Sequence, residues 1–266
     1  MPEFDVDELL GLGVKLAQAA GALLVEAMGR VHGQVTTKTS GTDMVSEVDR
    51  ASEHLIVEAL RRARPADGIL AEEGATQKGT SGVRWVIDPL DGTTNYLYGF
   101  PAFTVSIAAE IDGRSEIGVV TDPLRGETFA AARGRGTTCN GSTVRCATKH
   151  DLATALVATG FSYDADRRRA QAQVLTGVVP VVRDIRRAGA ASLDLCWVAS
   201  GRLDGYYEQG LQPWDFAAGA LIAAEAGAAV GDLTAGPPSS ELTLAAAPGL
   251  FVPLRQLLVR ATSGES

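Results

Sequence analysis

The chain has 266 residues, 45% of them hydrophobic and 21% charged, with a formal net charge of −8. That composition is enough for a substantial core and excludes a disordered chain. The acidic balance argues against a general nucleic-acid surface; the locally basic run Arg167-Arg168-Arg169 reads as a solvated helix face.

Cys139, Cys146 and Cys196 are scattered and odd in number, without a CxxC pair, so no disulfide framework or zinc knuckle is expected. His32, His54 and His150 are equally dispersed, which leaves no imidazole metal site. The amino-terminal stretch lacks the basic-then-apolar order of an export signal, and no apolar run is expected to reach membrane-spanning length. The expected location is therefore the cytoplasm, with no membrane partner.

In chain order, Leu9, Leu12, Leu16, Ala20, Leu23 and Leu24 recur at helical spacing and predict a helix from Val6 to Met28, stopped by Gly29. The interior glycines 11, 13 and 21 suggest close packing of that helix. Val35 to Lys38 reads as a short strand, followed by a turn-rich segment through Asp43. A second helix follows, with Leu55, Ile56, Ala59 and Leu60 on one face and Pro65 beyond its end; Asp49 is placed near its start. Ile69-Leu70-Ala71 is a short apolar run ending in Glu72-Glu73-Gly74.

The stretch Trp85-Val86-Ile87-Asp88-Pro89-Leu90-Asp91-Gly92-Thr93-Thr94-Asn95 organises the rest. Its bulky apolar start predicts a strand buried on both faces. Pro89, which has no N–H to donate, is expected to end the ladder, leaving Asp88 at the strand mouth and Asp91 in the turn. Gly92 permits a tight bend, and Thr93 or Thr94 is expected to cap a short helix. Carboxylates and free backbone N–H groups converging there suit hard cations and a phosphate. Asp, Pro and Gly are also ordinary turn formers, so taken alone the stretch reads equally well as a plain loop.

Phe103 to Ile111 and Glu116 to Thr121 flank the hairpin signal Asp112-Gly113, and Glu127 to Ala132 continues the antiparallel pattern. Residues 1–150 thus read as an α+β half with two helices on a largely antiparallel sheet. Residues 151–266 read as an α/β half: strand Leu156 to Gly160, helix Asp166 to Val178, strand Val181 to Ile185 and helix Ala190 to Ser200. Strand Asp204 to Glu208, an alanine-rich helix from Trp214 through Ala226, strand Leu242 to Ala246 and helix Pro248 to Val259 complete it.

The acidic positions Glu72-Glu73, Asp88, Asp91, Asp215 and Asp49 are each expected at element boundaries, where side chains can gather around a pocket. Several ionised carboxylates in one place repel unless a cation neutralises them. All-oxygen ligands without His or Cys favour Mg²⁺, Mn²⁺ or Ca²⁺ over zinc, and a phosphate-cradling turn beside them selects Mg²⁺. The plain alternatives are caps for Asp49 and Asp215 and a solvated pair for Glu72-Glu73.

These segments, with Asp43-Met44-Val45-Ser46-Glu47-Val48-Asp49, Tyr206-Tyr207-Glu208 and Trp214-Asp215-Phe216-Ala217-Ala218-Gly219, resemble the signature segments of the inositol monophosphatase family, in family order. The resemblance is to a bacterial-type member. It implies a layered αβαβα sandwich, Mg²⁺-dependent phosphomonoester hydrolysis with two or three ions per site, lithium sensitivity and a homodimer. It also implies metal ligation by Glu72, Asp88, the Leu90 carbonyl, Asp91 and Asp215, with Asp49 contributing to a third ion directly or through water. Gly92 and Thr93 would present N–H groups to the phosphate, Thr94 and Lys38 would lie on the same side, and Thr93 and Glu72 would orient and deprotonate the attacking water. Glu208 would bind substrate hydroxyls, and Ala191 would line the substrate side.

Gly41, where many relatives have proline, and Gln212-Pro213 depart from the family pattern and leave specificity open. Inositol monophosphate is the first expected substrate. Histidinol phosphate and fructose 1,6-bisphosphate are alternatives with the same chemistry, and a regulatory binding protein on a phosphatase fold is an alternative of another class.

Overall fold

The computed structural model describes residues 4–33, 41–234 and 236–263, with side chains given outside 29–46. The strand expected at Val35 to Lys38, and Lys38 itself, lie outside the described residues. Two helices come first, α1 (Val6–Gly33) and α2 (Gly41–Ala63). Then follow β1 (Gly68–Ala71), β2 (Thr76–Gln77), β3 (Val83–Asp91), the short helix α3 (Thr93–Tyr98), β4 (Thr104–Ile111), β5 (Arg114–Asp122), β6 (Glu127–Ala132), β7 (Thr137–Cys139) and β8 (Ser142–Val144). The remainder runs β9 (Leu156–Thr159), α4 (Ala165–Val178), β10 (Asp184–Arg186), α5 (Ala191–Ala199), β11 (Gly205–Glu208), α6 (Pro213–Glu225), β12 (Ala229–Gly231), β13 (Thr243–Ala246) and α7 (Pro248–Ser263).

The first sheet has the order β2-β1-β3-β4-β5-β6-β7-β8, and the second β10-β9-β11-β13-β12. In the first, β1 runs parallel to β3 and every other pair is antiparallel. In the second, β9 runs parallel to β10 and β11, while β13 is antiparallel to β11 and β12.

Side chains alternate across a strand, and on β5 the alternation separates two helical layers. Ile117 and Val119 join the core beneath α1 and α2, whereas Val120 joins the core shared with α5 and α6. The helices approach closely because glycines lie where they touch. A Cβ on Gly13 of α1 would stand 3.3 Å from Val119, and one on Gly21 would stand 3.1 Å from Pro123. On the other face, a Cβ on Gly118 would lie 2.7 Å from the Ala218 carbonyl of α6.

The same alternation works on β11. Tyr206 packs with Leu195, Val198 and Ala223 of α5 and α6, and Tyr207 packs with Leu250, Leu254 and Leu257 of α7. The layers are therefore α1 and α2, the eight-stranded sheet, α5 and α6, the five-stranded sheet, and α4 with α7. This is the αβαβα sandwich that the resemblance implies.

Several local expectations are corrected. Helix α1 continues through Gly29 to Gly33, since one glycine costs a helix only about 1 kcal/mol. Asp49 lies well inside α2, because that helix already begins at Gly41. The strand expected at Val181 to Ile185 is the shorter β10 (Asp184–Arg186), and strands β2, β7, β8 and β12 were not anticipated. The segment Val6–Met28 does prove long and apolar enough to cross a membrane, by length and composition alone. Within this fold its Leu9, Leu16, Ala17, Ala20 and Leu24 are buried in the core, while Asp7, Glu8 and Lys15 face outward, as in an amphipathic core helix.

Candidate active site

From Trp85 to Asp91 strand β3 is buried on both faces, Pro89 included. The proline does not end the ladder as expected. Asp88 pairs with Ser106 and Asp91 with Thr104, so β3 carries one extra residue against β4, a β-bulge. The missing N–H of Pro89 is accommodated within it. The bulge has a chemical effect. Residues three apart on a regular strand face opposite ways, and the inserted residue returns Asp88 and Asp91 to one side.

Short polar contacts fix this turn. The Leu90 N–H donates to Asp88 Oδ1 at 3.0 Å, the Ser52 hydroxyl donates to the Pro89 carbonyl at 2.9 Å, and the Thr93 hydroxyl donates to the Leu90 carbonyl at 3.1 Å. Helix α3 begins at Gly92, whose φ of 92° is left-handed, and no side chain caps it. The capping role expected of Thr93 or Thr94 is thus not seen; Thr93 turns back to Leu90, and the Thr94 hydroxyl lies 3.0 Å from that of Tyr163. A Cβ on Gly92 would come within 2.9 Å of the Ala102 carbonyl, so glycine is required there on two counts.

Asp91 reaches across the layers to α5. That helix starts at Ala190, which has no capping side chain. Asp91 supplies the cap instead: Oδ1 accepts from the Ala191 N–H at 3.3 Å, and Oδ2 accepts from the Ser192 N–H at 2.8 Å and its hydroxyl at 2.6 Å. Burial raises the Asp91 pKa, and these donors oppose the rise.

Asp215 sits in the first turn of α6. Its carboxylate accepts from the Gln212 N–H at 2.6 Å in a reciprocal capping box, and the Ser106 hydroxyl holds the Trp214 carbonyl at 3.2 Å. The cap is thus Gln212 rather than Asp215, which is the third-residue acid of the box and also lines the cleft. The Asp215 pKa is pushed up to about 8, chiefly by burial and then by Asp91. Burial likewise raises Glu72, and it carries Asp88 well above the ordinary carboxylate range, with the charges of Glu72, Asp91, Asp215 and Asp49 adding to the effect on Asp88.

Glu72, Asp88, Leu90, Asp91, Gly92 and Thr93 line one side of a cleft of about 440 Å³, with Thr94 beside them. Ala191, Glu208 and Asp215 complete its walls, together with the cationic Arg187 and the aromatic Phe161 and Tyr163. Asp49 does not line it. That residue is buried in α2, with Oδ1 lacking a hydrogen-bond partner and a pKa near 8 raised first by burial and then by Glu73 and Glu72.

Among the described residues, no three His, Cys, Asp or Glu side chains are drawn together as a ready-made cation cage. The donor chemistry nevertheless fits a hard divalent ion. The donors are all oxygen, the carboxylates repel one another, and the buried Asp49 Oδ1, whose charge acts on Asp88, is without a hydrogen-bond partner.

Sequence reasoning missed several supporting residues. Glu53 anchors the turn after β1 by accepting from the Glu73 and Ala75 N–H groups at 2.9 and 3.2 Å. Asn95 donates to the Ala102 and Ala188 carbonyls at 2.6 and 2.8 Å, tying α3 to the segment before α5. Ser192 was legible only indirectly, as the first hydroxyl of a helix whose start, Ala190-Ala191, lacks a capping residue.

The comparisons with known proteins bear on the family and the fold. The family model described as the inositol monophosphatase family matches residues 5–263. The inositol-1-monophosphatase of Mycobacterium leprae is 42% identical, covering 98% of this chain and 96% of the relative. The Nus factor SuhB of Pasteurella multocida is 42% identical over 87% of each chain. Among solved structures, Mycobacterium tuberculosis SuhB is similar with a TM-score of 0.86 and 41% identity, covering 99% of this chain and 100% of that one. The inositol monophosphatase from Anabaena gives a TM-score of 0.85 and 34% identity, over 97% of each chain. A signature spread from β1 to α6, a layered sandwich and an acidic cleft thus meet in one conclusion: the chain belongs to the inositol monophosphatase family.

Proposed function

We propose that this chain hydrolyses a small phosphomonoester, with inositol monophosphate the first candidate, by attack of water on phosphorus in the acidic cleft. One observation carries the reading. Carboxylates from the end of β1, the β3 bulge and the start of α6 line one cleft, where burial first and then their mutual charges raise their pKa values.

Glu72, Asp88, the Leu90 carbonyl, Asp91 and Asp215 would hold two or three Mg²⁺ ions, with Asp49 contributing to the third. Bound there, Mg²⁺ supplies neutralisation of the phosphate charge and lowers the pKa of water. The chain supplies position and proton transfer. Thr93 and Glu72 orient the attacking water, and Glu72 accepts its proton. Gly92 and Thr93 offer backbone N–H groups to the phosphate, with Thr94 beside them and Lys38 assigned to the same side. Ala191 borders the bound substrate. Glu208 accepts hydrogen bonds from the leaving group's hydroxyls, and its charge disfavours a second phosphate at that place.

Histidinol phosphate, whose ammonium would suit Glu208, is the runner-up, and fructose 1,6-bisphosphate is a further candidate on the same fold. The same reading includes lithium inhibition, a homodimer and a cytoplasmic setting. A regulatory reading takes support from relatives named Nus factor SuhB. The net charge of −8 weighs against direct nucleic-acid contact, and the full acidic set weighs against a protein that has lost catalysis.

The test is phosphate release from all three substrates with Mg²⁺, with and without Li⁺. Inositol monophosphate should be turned over fastest and Li⁺ should inhibit. Equal rates on all three would defeat the specificity, and no release from any would defeat the activity.

A further inference from the structure

Glu208 has three rotatable side-chain bonds, and a carboxylate that recognises hydroxyls has to be aimed. The structure shows what restrains it. Tyr206 and Glu208 share a face of β11, and the Tyr206 hydroxyl donates to Glu208 Oε2 at 2.8 Å. The Tyr206 ring is fully buried among Ala158, Leu195, Val198 and Ala223, so packing fixes the position of its hydroxyl. On the neighbouring strand β9, the register places Tyr207 beside Thr159 and brings Glu208 level with Gly160. A Cβ on Gly160 would overlap the Glu208 carboxylate. Gly160 is not among the left-handed glycines, so its backbone would admit any residue. The missing side chain serves the carboxylate rather than the turn.

We propose that Tyr206 and Gly160 are positioning residues that aim the Glu208 carboxylate into the cleft, Tyr206 by holding one oxygen and Gly160 by leaving room for the group. The second oxygen then faces the substrate. Both residues act only through Glu208, and the proposal rests on the reading that Glu208 meets the hydroxyls of a polyol phosphate.

The experiment compares kcat and KM for inositol monophosphate and for p-nitrophenyl phosphate, whose leaving group has no aliphatic hydroxyls to recognise. The variants are Tyr206→Phe, Gly160→Ala, Glu208→Gln, Glu208→Ala and the double variant Tyr206→Phe/Glu208→Ala, all assayed with Mg²⁺. The ratio of the two kcat/KM values should fall by about 3- to 10-fold in Tyr206→Phe and in Gly160→Ala, mainly through KM for the polyol ester. Glu208→Gln and Glu208→Ala should lower the ratio at least as far, and the double variant should be no worse than Glu208→Ala alone.

A wild-type ratio in Tyr206→Phe alongside a lowered one in Glu208→Gln would overturn the positioning role. So would additive losses in the double variant, which mark a structural effect of the tyrosine. An unchanged ratio in Glu208→Gln would remove the substrate contact itself, and the positioning role with it. Where Gly160→Ala does not fold, Tyr206→Phe, which lacks only one oxygen, decides.

Discussion

Asp91 and Ser192 are 101 residues apart in the chain, yet the serine donates both its N–H, at 2.8 Å, and its hydroxyl, at 2.6 Å, to one oxygen of the aspartate. A cleft carboxylate on the eight-stranded sheet is thereby also the cap of a helix in the central layer. Stability and site geometry are coupled at this point. Ser192→Ala should cost about 1–2 kcal/mol in urea unfolding, in line with one lost hydrogen bond to a buried carboxylate. The same variant should need more Mg²⁺ for half-maximal activity, because a donor that favours the ionised carboxylate is gone. Unchanged stability and Mg²⁺ dependence together would show that the contact is idle.

Removing Mg²⁺ should make the stability depend on pH in a definite direction. Asp49 and Asp215 have pKa values raised from 3.8 to about 8 in the fold. Between those values the folded chain holds protons that the unfolded chain has released, so stability falls as pH rises through this window. The Tm of metal-free protein should therefore drop from about pH 5 to about pH 8, and added Mg²⁺ should raise it more at the higher pH. A metal-free Tm that climbs steadily across that range would contradict the assignment.

Asp88→Asn should abolish hydrolysis, by at least about 100-fold in kcat/KM, while the circular dichroism spectrum stays native. The variant replaces a buried carboxyl whose ionisation is opposed by burial and by its acidic neighbours, so its metal-free form should be at least as stable as the parent at neutral pH. Retained turnover would show that the acidic cleft does not carry the chemistry.

Gly118→Ala tests the layer contact rather than the site. Its new Cβ would lie 2.7 Å from the Ala218 carbonyl, a backbone atom of a packed helix that cannot move alone. A loss of about 1–3 kcal/mol is expected in denaturant unfolding. The equivalent change at exposed Gly113 provides no such clash, since nothing lies within 4 Å, although its φ of 75° adds local strain.

The sequence was most legible where local chemistry and periodicity agree. The apolar run into Asp88, the Asp112-Gly113 hairpin and the alanine-rich helix after Trp214 all appear close to where their patterns place them. Edge strands of two or three residues, such as Thr76–Gln77 and Ala229–Gly231, carry too little pattern to be read. The bulge at Pro89 was misread because a missing N–H has two remedies, ending a ladder or slipping it by one residue, and only the partner strand selects between them. The roles of Ser192 and Gly160 were hard to read for a related reason. Their importance lies in what stands opposite them, which no local window contains.

The wedge formed by α5 and α6 has a consequence for how the chain becomes competent. One helix of that pair is stitched to Asp91 and the other delivers Asp215, so the cup stays open until both have seated between the sheets. Turnover should therefore be lost no later than that wedge unseats, which makes activity a reporter of the packing between the two sheets.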